Sequence, residues 1–511
     1  MKPFVFLRRL SQLFFLLLFI YVLWSMVFPF PRWVRPDLLF KIDPLIMAIT
    51  SLSERLVLPG IALSLGMVFL TMLCGRFFCG WVCPLGTAVD IAGAFKKKHR
   101  STGDGNNAAV RKIKFYILGI MVLAAIFGKE IAWIFDPIVI AARFVSLNLV
   151  PGLTFLMNAA FIILIRDWHA GGAVSDLYHA LKPTFLGVKV YYFAHSGIIF
   201  LFFAAICSTV MILQRFWCRA LCPLGALYAC LARWAPLRRT IKECMKCNRC
   251  KGHCRMGAIR DDLGYEQGEC ILCMDCIYDC PTHLTSFNFL LPGKAKRIAG
   301  EEGQRAADLP KISRRNFLLF ILGSISLLEY KFISNALSQK STVLRPPAAL
   351  EEDDFIKRCI RCGNCMRVCP TNALHPAMLQ AGPEGIWTPQ LLPEVGYCEY
   401  KCTLCGRACP TGAISPLTPQ EKLTTKLGLA LVDRSTCLPW ALNKECLVCQ
   451  EHCPTFNKAI KLDTSSGHPA RPYVDEKLCV GCGICQNKCP VTPIRAIRVS
   501  EKGAYRVKAS L

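Results

Sequence analysis

CIRCGNCMRVCP, residues 359–370, sets three cysteines at intervals of three and a fourth four residues later, against a proline. On so tight a loop Cys359, Cys362 and Cys365 can cap one face of an iron–sulfur cube. Cys369, displaced and followed by Pro370, points at a neighbouring cube, as in bacterial two-cluster ferredoxins. Five further runs repeat the pattern with small variations: Cys244, Cys247, Cys250, Cys254; Cys270, Cys273, Cys276, Cys280; Cys398, Cys402, Cys405, Cys409; Cys437, Cys446, Cys449, Cys453; and Cys479, Cys482, Cys485, Cys489. A lone C-x2-C pair would serve zinc equally well, but three-plus-one runs of soft thiolates favour iron–sulfur clusters. The thiols are also bunched too tightly, in too long a chain, for a disulfide scaffold. The second half therefore reads as α+β bacterial-ferredoxin-like domains carrying electrons through six [4Fe–4S] clusters.

The first half is written for a different solvent. The 511-residue chain is 53% hydrophobic, with a mean hydropathy of +0.37. Residues 10–31, 56–75 and 190–214 carry no charge between Arg9 and Arg32, Arg55 and Arg76, and Lys189 and Arg215. Each stretch approaches or exceeds the roughly 20 apolar residues a transmembrane helix needs.

The formal charge of +26 invites a nucleic-acid reading, which its placement argues against. Residues 1–340 hold 40 Lys and Arg against 20 Asp and Glu, and residues 341–511 hold 21 against 15. Each four-thiolate cluster adds about −2, so four clusters bring the C-terminal part close to neutral. The remaining excess flanks the apolar segments at Lys96, Lys97, Lys98, Arg100, Arg111, Lys112, Lys114, Arg233, Arg238 and Arg239. That is the positive-inside distribution; no nucleic acid is expected as a partner.

Lys2, Arg8 and Arg9 keep the N-terminus cytoplasmic, so residues 10–28 run outward and 57–74 return. A third span starts near Lys114. Residues 129–190 are ambiguous, and re-entrant or interfacial helices there, with 193–213 returning inward, keep Cys218 and Cys222 beside the basic residues that follow them. An internal repeat favours this arrangement: CGRFFCGWVCPLGTAVD (74–90) and LQRFWCRALCPLGALYA (213–229) share RF-x-C-x3-CPLG after an apolar span. On one helix, cysteines four apart would face the same way, with Pro84 and Pro223 at a helix boundary.

Residues 292–312, rich in Gly, Ala, Lys and Glu, read as a linker. Ser313-Arg314-Arg315-Asn316-Phe317-Leu318 and the apolar stretch behind it match a twin-arginine export signal. The bland alternative is a pair of positive-inside anchors.

These residues resemble a known pair of families. The C-x3-C-P-L-G motifs (Cys79/Cys83 and Cys218/Cys222) with a ferredoxin pair behind them resemble NapH, the membrane subunit of a quinol dehydrogenase serving periplasmic nitrate reductase. NosR-type accessory proteins share that module. From Ser313 onward, and most closely in RPPAALEEDDFIKRCIRCGNCMRVCP (345–370), the chain resembles NapG, an exported subunit with four [4Fe–4S] clusters. The resemblance implies a natural NapH–NapG fusion in the bacterial cytoplasmic (inner) membrane, in contact with lipid and the quinone pool. It would be the electron-transfer component of a quinol dehydrogenase, passing electrons outward to an extracytoplasmic redox enzyme or cytochrome. The departures are an internal export signal with a weak cleavage-like Ser334-Asn335-Ala336, an Arg255 where a proline usually follows the run, and the lack of a NosR-type flavin domain ahead of the membrane part.

The expected organisation is a membrane module with about four to five spans (1–235), a cytoplasmic two-cluster ferredoxin domain (236–291), the linker (292–312), a signal or anchor (313–337) and an extracytoplasmic four-cluster domain (338–511). In the cytoplasmic pair, Cys244, Cys247 and Cys250 go with Cys280, and Cys270, Cys273 and Cys276 with Cys254. In the C-terminal part sequential and nested pairings are both open; the eight-residue insertion between Cys437 and Cys446 tips the expectation to nesting. Cys79, Cys83, Cys218 and Cys222 are candidates for a further redox site, against a plain packing role, while Cys74, Cys207 and Cys230 read as packing. Glu130, Asp136 and His195 are candidates for a quinol site, because ionisable groups near a bilayer invite that suspicion. Haem is not expected, since C-x-x-C-H is missing. Two rival functions fit the same carriers: an assembly or maturation factor reducing a metal or thiol in a partner enzyme, and a cytoplasm-facing quinone reductase.

Overall fold

The computed structural model describes residues 3–26, 35–95, 107–167, 172–182, 186, 191–241, 244–245, 247–260, 264–281, 285–289, 343–465 and 469–507. The expected linker, the SRRNFL segment with its apolar stretch, and Lys96 to Arg100 lie outside them. The chain divides into two compact units. One comprises Met1–Tyr21, Leu38–Ala142 and Phe200–Ala336, the other Val22–Asp37, Arg143–Ile199 and Leu337–Leu511.

The principal helices are α1 (Pro3–Trp24), α2 (Pro44–Glu54), α3 (Ile61–Cys74), α4 (Pro84–Ala94), α5 (Asn107–Ile126), α6 (Pro137–Arg166), α7 (Ala173–Leu181), α8 (Ser196–Ser208) and α9 (Pro223–Leu231). Proline opens α2, α4 and α9 at the position where a missing N–H costs nothing, each behind a side-chain cap from Asp43, Cys83 or Cys222. In the first unit α5 packs against α2 and α9, and α3 against α2 and α9. The cysteine-rich segment of that unit is closed by an antiparallel pair, β1 (Leu237–Ile241) with β2 (Thr285–Phe289), Leu237 opposite Phe289.

Among the described residues two helices are long and apolar enough to cross a bilayer: α1, with 22 residues, and α6, with 30. The expected spans at 56–75 and 190–214 are shorter as helices. α3 has only 14 residues, because Gly60 at φ +100° and Gly75 at φ +81° bound it at both ends. The return segment winds as Ser196–Met211, its last turn 3₁₀. The four to five spans expected are thus matched in length by two. Within 129–190, where re-entrant or interfacial helices are expected, residues 137–166 form one helix. It passes Pro151 because a π-turn at Val145–Leu149 lies immediately before it, where widened turns absorb the clash and lost hydrogen bond of a proline.

In the second unit the C-terminal segment is assembled from short antiparallel pairs. β3 (Leu374–Pro376) pairs with β4 (Pro389–Leu391), β5 (Leu429–Val432) with β8 (Ile497–Ser500), and β6 (Ile460–Asp463) with β7 (Arg471–Val474). β3 follows the Cys359 run and β4 precedes the Cys398 run. β5 precedes the Cys437 run and β8 follows the Cys479 run. Strand pairing therefore brings neighbouring runs together in chain order.

Candidate functional site

Each run builds its loop from the backbone up. In four of them the residue after the second cysteine is left-handed: Asn248 (φ 58°), Met274 (φ 61°), Gly363 (φ 87°) and Gly483 (φ 83°). The turn folds the chain back so that the third cysteine rides on a single helical turn, as Cys365 does in Asn364–Arg367. Except at Cys254, which Arg255 follows, the fourth cysteine precedes proline; Cys489 (φ −56°, ψ 127°) is extended, as a following proline favours sterically. The irregularly spaced runs depart here: Thr403 and Leu447 follow their second-last loop cysteines with φ near −123° and −113°.

Four cavities open among these loops, each lined by three cysteines of one run and one of another. They are Cys244, Cys247, Cys250 with Cys280; Cys359, Cys362, Cys365 with Cys409; Cys437, Cys446, Cys449 with Cys489; and Cys479, Cys482, Cys485 with Cys453. The remaining thiols fall into two sets by mutual proximity, Cys254 beside Cys270, Cys273 and Cys276, and Cys369 beside Cys398, Cys402 and Cys405. The pairing in the C-terminal domain is therefore sequential. The nested expectation is corrected, because β3–β4 and β5–β8 join runs that follow one another. The insertion after Cys437 is taken up locally by the turn Leu438–Ala441.

The sets fit a cluster and not a single ion. Among the described residues no three His, Cys, Asp or Glu side chains converge closely enough for one metal ion; the thiols line cavities instead. Burial, then the neighbouring Cys446, Cys437 and Cys489, push the Cys449 thiol up to about 12, and burial lifts Cys359 to about 11. Thiols so crowded ionise only with a cationic core between them. Donors already aim at the sulfurs: Arg239 Nη2 at Cys250 Sγ (3.4 Å), Ala258 N at Cys254 Sγ (3.2 Å) and Ala373 N at Cys369 Sγ (3.4 Å).

The C-x3-C-P motifs are not single helices. Cys79 sits in the short turn Phe77–Trp81 and Cys218 in a π-turn, Trp217–Leu221, whereas Cys83 and Cys222 cap the next helices. Pro84 and Pro223 drive the preceding cysteine out of helical geometry, so the expectation that helical spacing aligns each pair is corrected. The result is tighter. Cys83 Sγ accepts from Gly86 N (3.4 Å) and Cys222 Sγ from Gly225 N (3.3 Å), at the positive ends of α4 and α9. Burial, then Cys218 and Cys79, push the Cys222 thiol well up. Cys79 and Cys218 pack with Met256, Ile271 and Cys273 in one apolar cluster, and a side chain at Gly80 would strike Ile271 O at 2.2 Å. Two thiols of the repeat, Cys79 and Cys218, thus lie against the loop that carries Cys273. Cys74, Cys207 and Cys230 are half-buried.

Two arginines of the repeat, Arg76 and Arg215, are each 1% exposed. Arg215 is bidentate to Asp90 (2.8 and 2.6 Å) and donates to Cys79 O (3.0 Å). Arg76 reaches Glu269 (3.1 Å), which also holds Lys114 (2.5 Å). Arg8 donates to Cys273 O (2.6 Å), and Arg255 bridges Asp275 (2.7 Å) and Asp90 (3.3 Å). Trp81 Nε1 donates to Leu272 O (3.0 Å). These ion pairs do not follow from the sequence, although RF recurs in both motif copies.

The quinol candidates separate. Asp136 is fully buried and Glu130 nearly so; Glu130 Oε1 accepts from Ala132 N (3.1 Å). His195 is exposed, left-handed (φ 61°), and belongs to the second unit. Within that unit Arg143 at the start of its share of α6 donates to Arg361 O (2.8 Å) and stacks over Trp387 (4.5 Å). Arg367 lies over Tyr191 (4.9 Å), and Ala194 N donates to His375 Nδ1 (3.1 Å).

A 4Fe-4S binding domain family matches residues 56–102 and 195–242, a 4Fe-4S dicluster domain family matches 358–413, and a second 4Fe-4S binding domain family matches 472–495. Over 192 residues the chain is 33% identical to the ferredoxin-type protein NapG of Escherichia coli (strain K12), 35% of this chain and 82% of that one. The chain belongs to the ferredoxin-type family. It is also 35% identical to the ferredoxin-type protein NapF of Haemophilus influenzae over 186 residues, covering 36% of this chain and 92% of the relative. To the methylamine utilization ferredoxin-type protein MauM of Methylorubrum extorquens it is 35% identical over 187 residues, with shares of 35% and 80%. No solved structure matches the chain. This ferredoxin-type chain is an iron–sulfur electron carrier with [4Fe–4S] domains, related to the Nap and Mau carriers. The dicluster match spans the Cys359 and Cys398 runs together, in agreement with their sequential pairing.

Proposed function

We propose that this ferredoxin-type chain is a membrane-bound NapH–NapG-like fusion that takes electrons from quinol and delivers them to an extracytoplasmic redox partner. Six thiol sets, 24 cysteines in all, would hold six [4Fe–4S] clusters, whose chemistry is one-electron transfer. The observation that carries the reading is the packing of Cys79 and Cys218 against Cys273. It joins the duplicated membrane-module motif to a cluster-binding loop without an intervening layer. The four motif thiols form a further redox site, with Arg76 and Arg215 supplying fixed positive charge and α4 and α9 their helix N-termini. α1 and α6 have the length to span a bilayer; the remaining spans are shorter helices of the same module.

Anaerobic stopped-flow mixing of the reconstituted protein with a quinol tests this. The expected result is bleaching of cluster absorbance that is largely lost when Cys79, Cys83, Cys218 and Cys222 are all replaced by serine, while dithionite still reduces every cluster. Wild-type protein that takes no electrons from quinol would move the reading to an assembly factor. A quadruple variant reduced at the wild-type rate would return the four cysteines to packing.

A further inference from the structure

We propose that Asp43 and Asp136 form a buried carboxyl pair that holds one proton between them and receives a second, transiently, from quinol; the proton's source rests on the quinol reading above. Both residues are fully buried in the first unit. Each caps a helix with one oxygen. Asp43 Oδ1 accepts from Leu45 N (2.8 Å) and Ile46 N (3.3 Å), and Asp136 Oδ1 accepts from Ile138 N and Val139 N (both 2.9 Å). The other oxygen of each, Oδ2, is buried with no donor, and the two carboxyl groups lie within hydrogen-bonding reach of one another. Two facing acceptors cannot satisfy each other, and an unsatisfied buried polar group is costly. A proton between them supplies the missing donor. The remaining single negative charge then rests on the N-termini of α2 and α6, where anions are favoured; a second charge at that distance would be repelled.

What distinguishes the pair from two ordinary caps is its neighbour. Tyr228, on α9 and 1% exposed, stands within electrostatic range of Asp43, Asp136, Cys79 and Cys83, and its ring contacts Phe78 at 5.8 Å between centroids. The carboxyl pair therefore shares a neighbour with the motif thiols. In the step, a quinol O–H bond breaks and its proton forms an O–H bond at the Oδ2 that only accepts in the shared hydrogen bond, so that each carboxyl then carries its own proton. The two electrons of quinol would pass, one each, to clusters held by the cysteine sets, whose chemistry is one-electron transfer, and the second quinol proton would leave to water. The doubly protonated pair is neutral and has one O–H more than it can satisfy internally, so the added proton is passed on.

The test uses the full chain in lipid nanodiscs and the variants Asp43→Asn and Asp136→Asn. Asparagine keeps the capping oxygen and brings its own N–H to the partner's Oδ2, so folding is retained while the shared proton is removed. The infrared spectrum of oxidised wild-type minus Asp43→Asn protein should show a protonated-carboxyl C=O band that shifts in 2H2O; the same band should be missing from Asp136→Asn. Quinol-driven cluster reduction should slow on the order of 100-fold in either variant, the scale of a positioned proton acceptor, with dithionite reduction unchanged. A band that persists in both variants, or wild-type quinol rates in both, overturns the proposal. If wild-type protein accepts no electrons from quinol, the functional reading fails, and the infrared band still decides whether the pair holds a proton. If Asp136→Asn does not fold, Asp43→Asn alone and Asp43→Glu, which retains the band, give the same decision.

Discussion

Glu269 shows how much of this molecule rests on single residues. Burial pushes its carboxyl up, and Lys114 and Arg76 together outweigh burial, so it titrates below the usual glutamate range. A carboxyl lowered in the folded state stabilises that state above the ordinary range and loses the contribution as pH falls through the folded value. The contact of the ferredoxin segment with Lys114 and Arg76 should therefore hold at pH 7 and through pH 5, and weaken only under stronger acid. Proteolytic sensitivity of residues 244–281 against pH measures this. Glu269→Gln should destabilise the first unit by about 3–5 kcal/mol, because it strands two buried cations; thermal unfolding reads it directly. A wild-type melting temperature in that variant would show the triad to be energetically idle. None of these partners was legible from the sequence. Lys114 reads from the sequence as a positive-inside charge and Arg76 and Arg215 as the bounds of uncharged stretches; only the repetition of RF in both motifs sets the two arginines apart.

The loops themselves were legible in the cysteine spacing, down to the three-plus-one division of each run. Their partnership in the C-terminal domain was not, because it depends on strands of three or four residues whose pairing leaves little trace in hydropathy. Sequential pairing has a sharp consequence. Cys409→Ser should perturb the cluster bound by Cys359, Cys362 and Cys365, and Cys369→Ser the one bound by Cys398, Cys402 and Cys405, with the other clusters unchanged. Redox-poised EPR of the two variants checks it; if Cys409→Ser instead altered the cluster held by Cys437, Cys446 and Cys449, the pairing would be nested. Helix continuity was equally hidden. Pro151 argues for a break in α6, and only a π-turn at the preceding residues cancels it. Pro84 and Pro223 put a helix boundary in each motif from the sequence alone; what the spacing hid is that Cys79 and Cys218 lie in separate short turns ahead of that boundary.

For the whole molecule, six complete thiol sets predict six cubanes, about 24 iron and 24 acid-labile sulfide atoms per chain. Anaerobically prepared protein with four clusters or fewer would remove at least two runs from the assignment. Outward delivery further predicts opposite answers from topology reporters placed near residue 300 and at the C-terminus; two cytoplasmic answers would make the chain a quinone reductase. One feature of the second unit bears on a cut within the polypeptide. Residues 143–199 are translated long before 343–511, yet Arg143, Tyr191, Tyr192 and Ala194 grip Arg361, Arg367, Asn372 and His375. A peptidase acting at 334–336 would sever the backbone and leave this clasp closed. The released fragment should then sediment with the membranes through a high-salt wash, tethered by a receptor that its own precursor brought along.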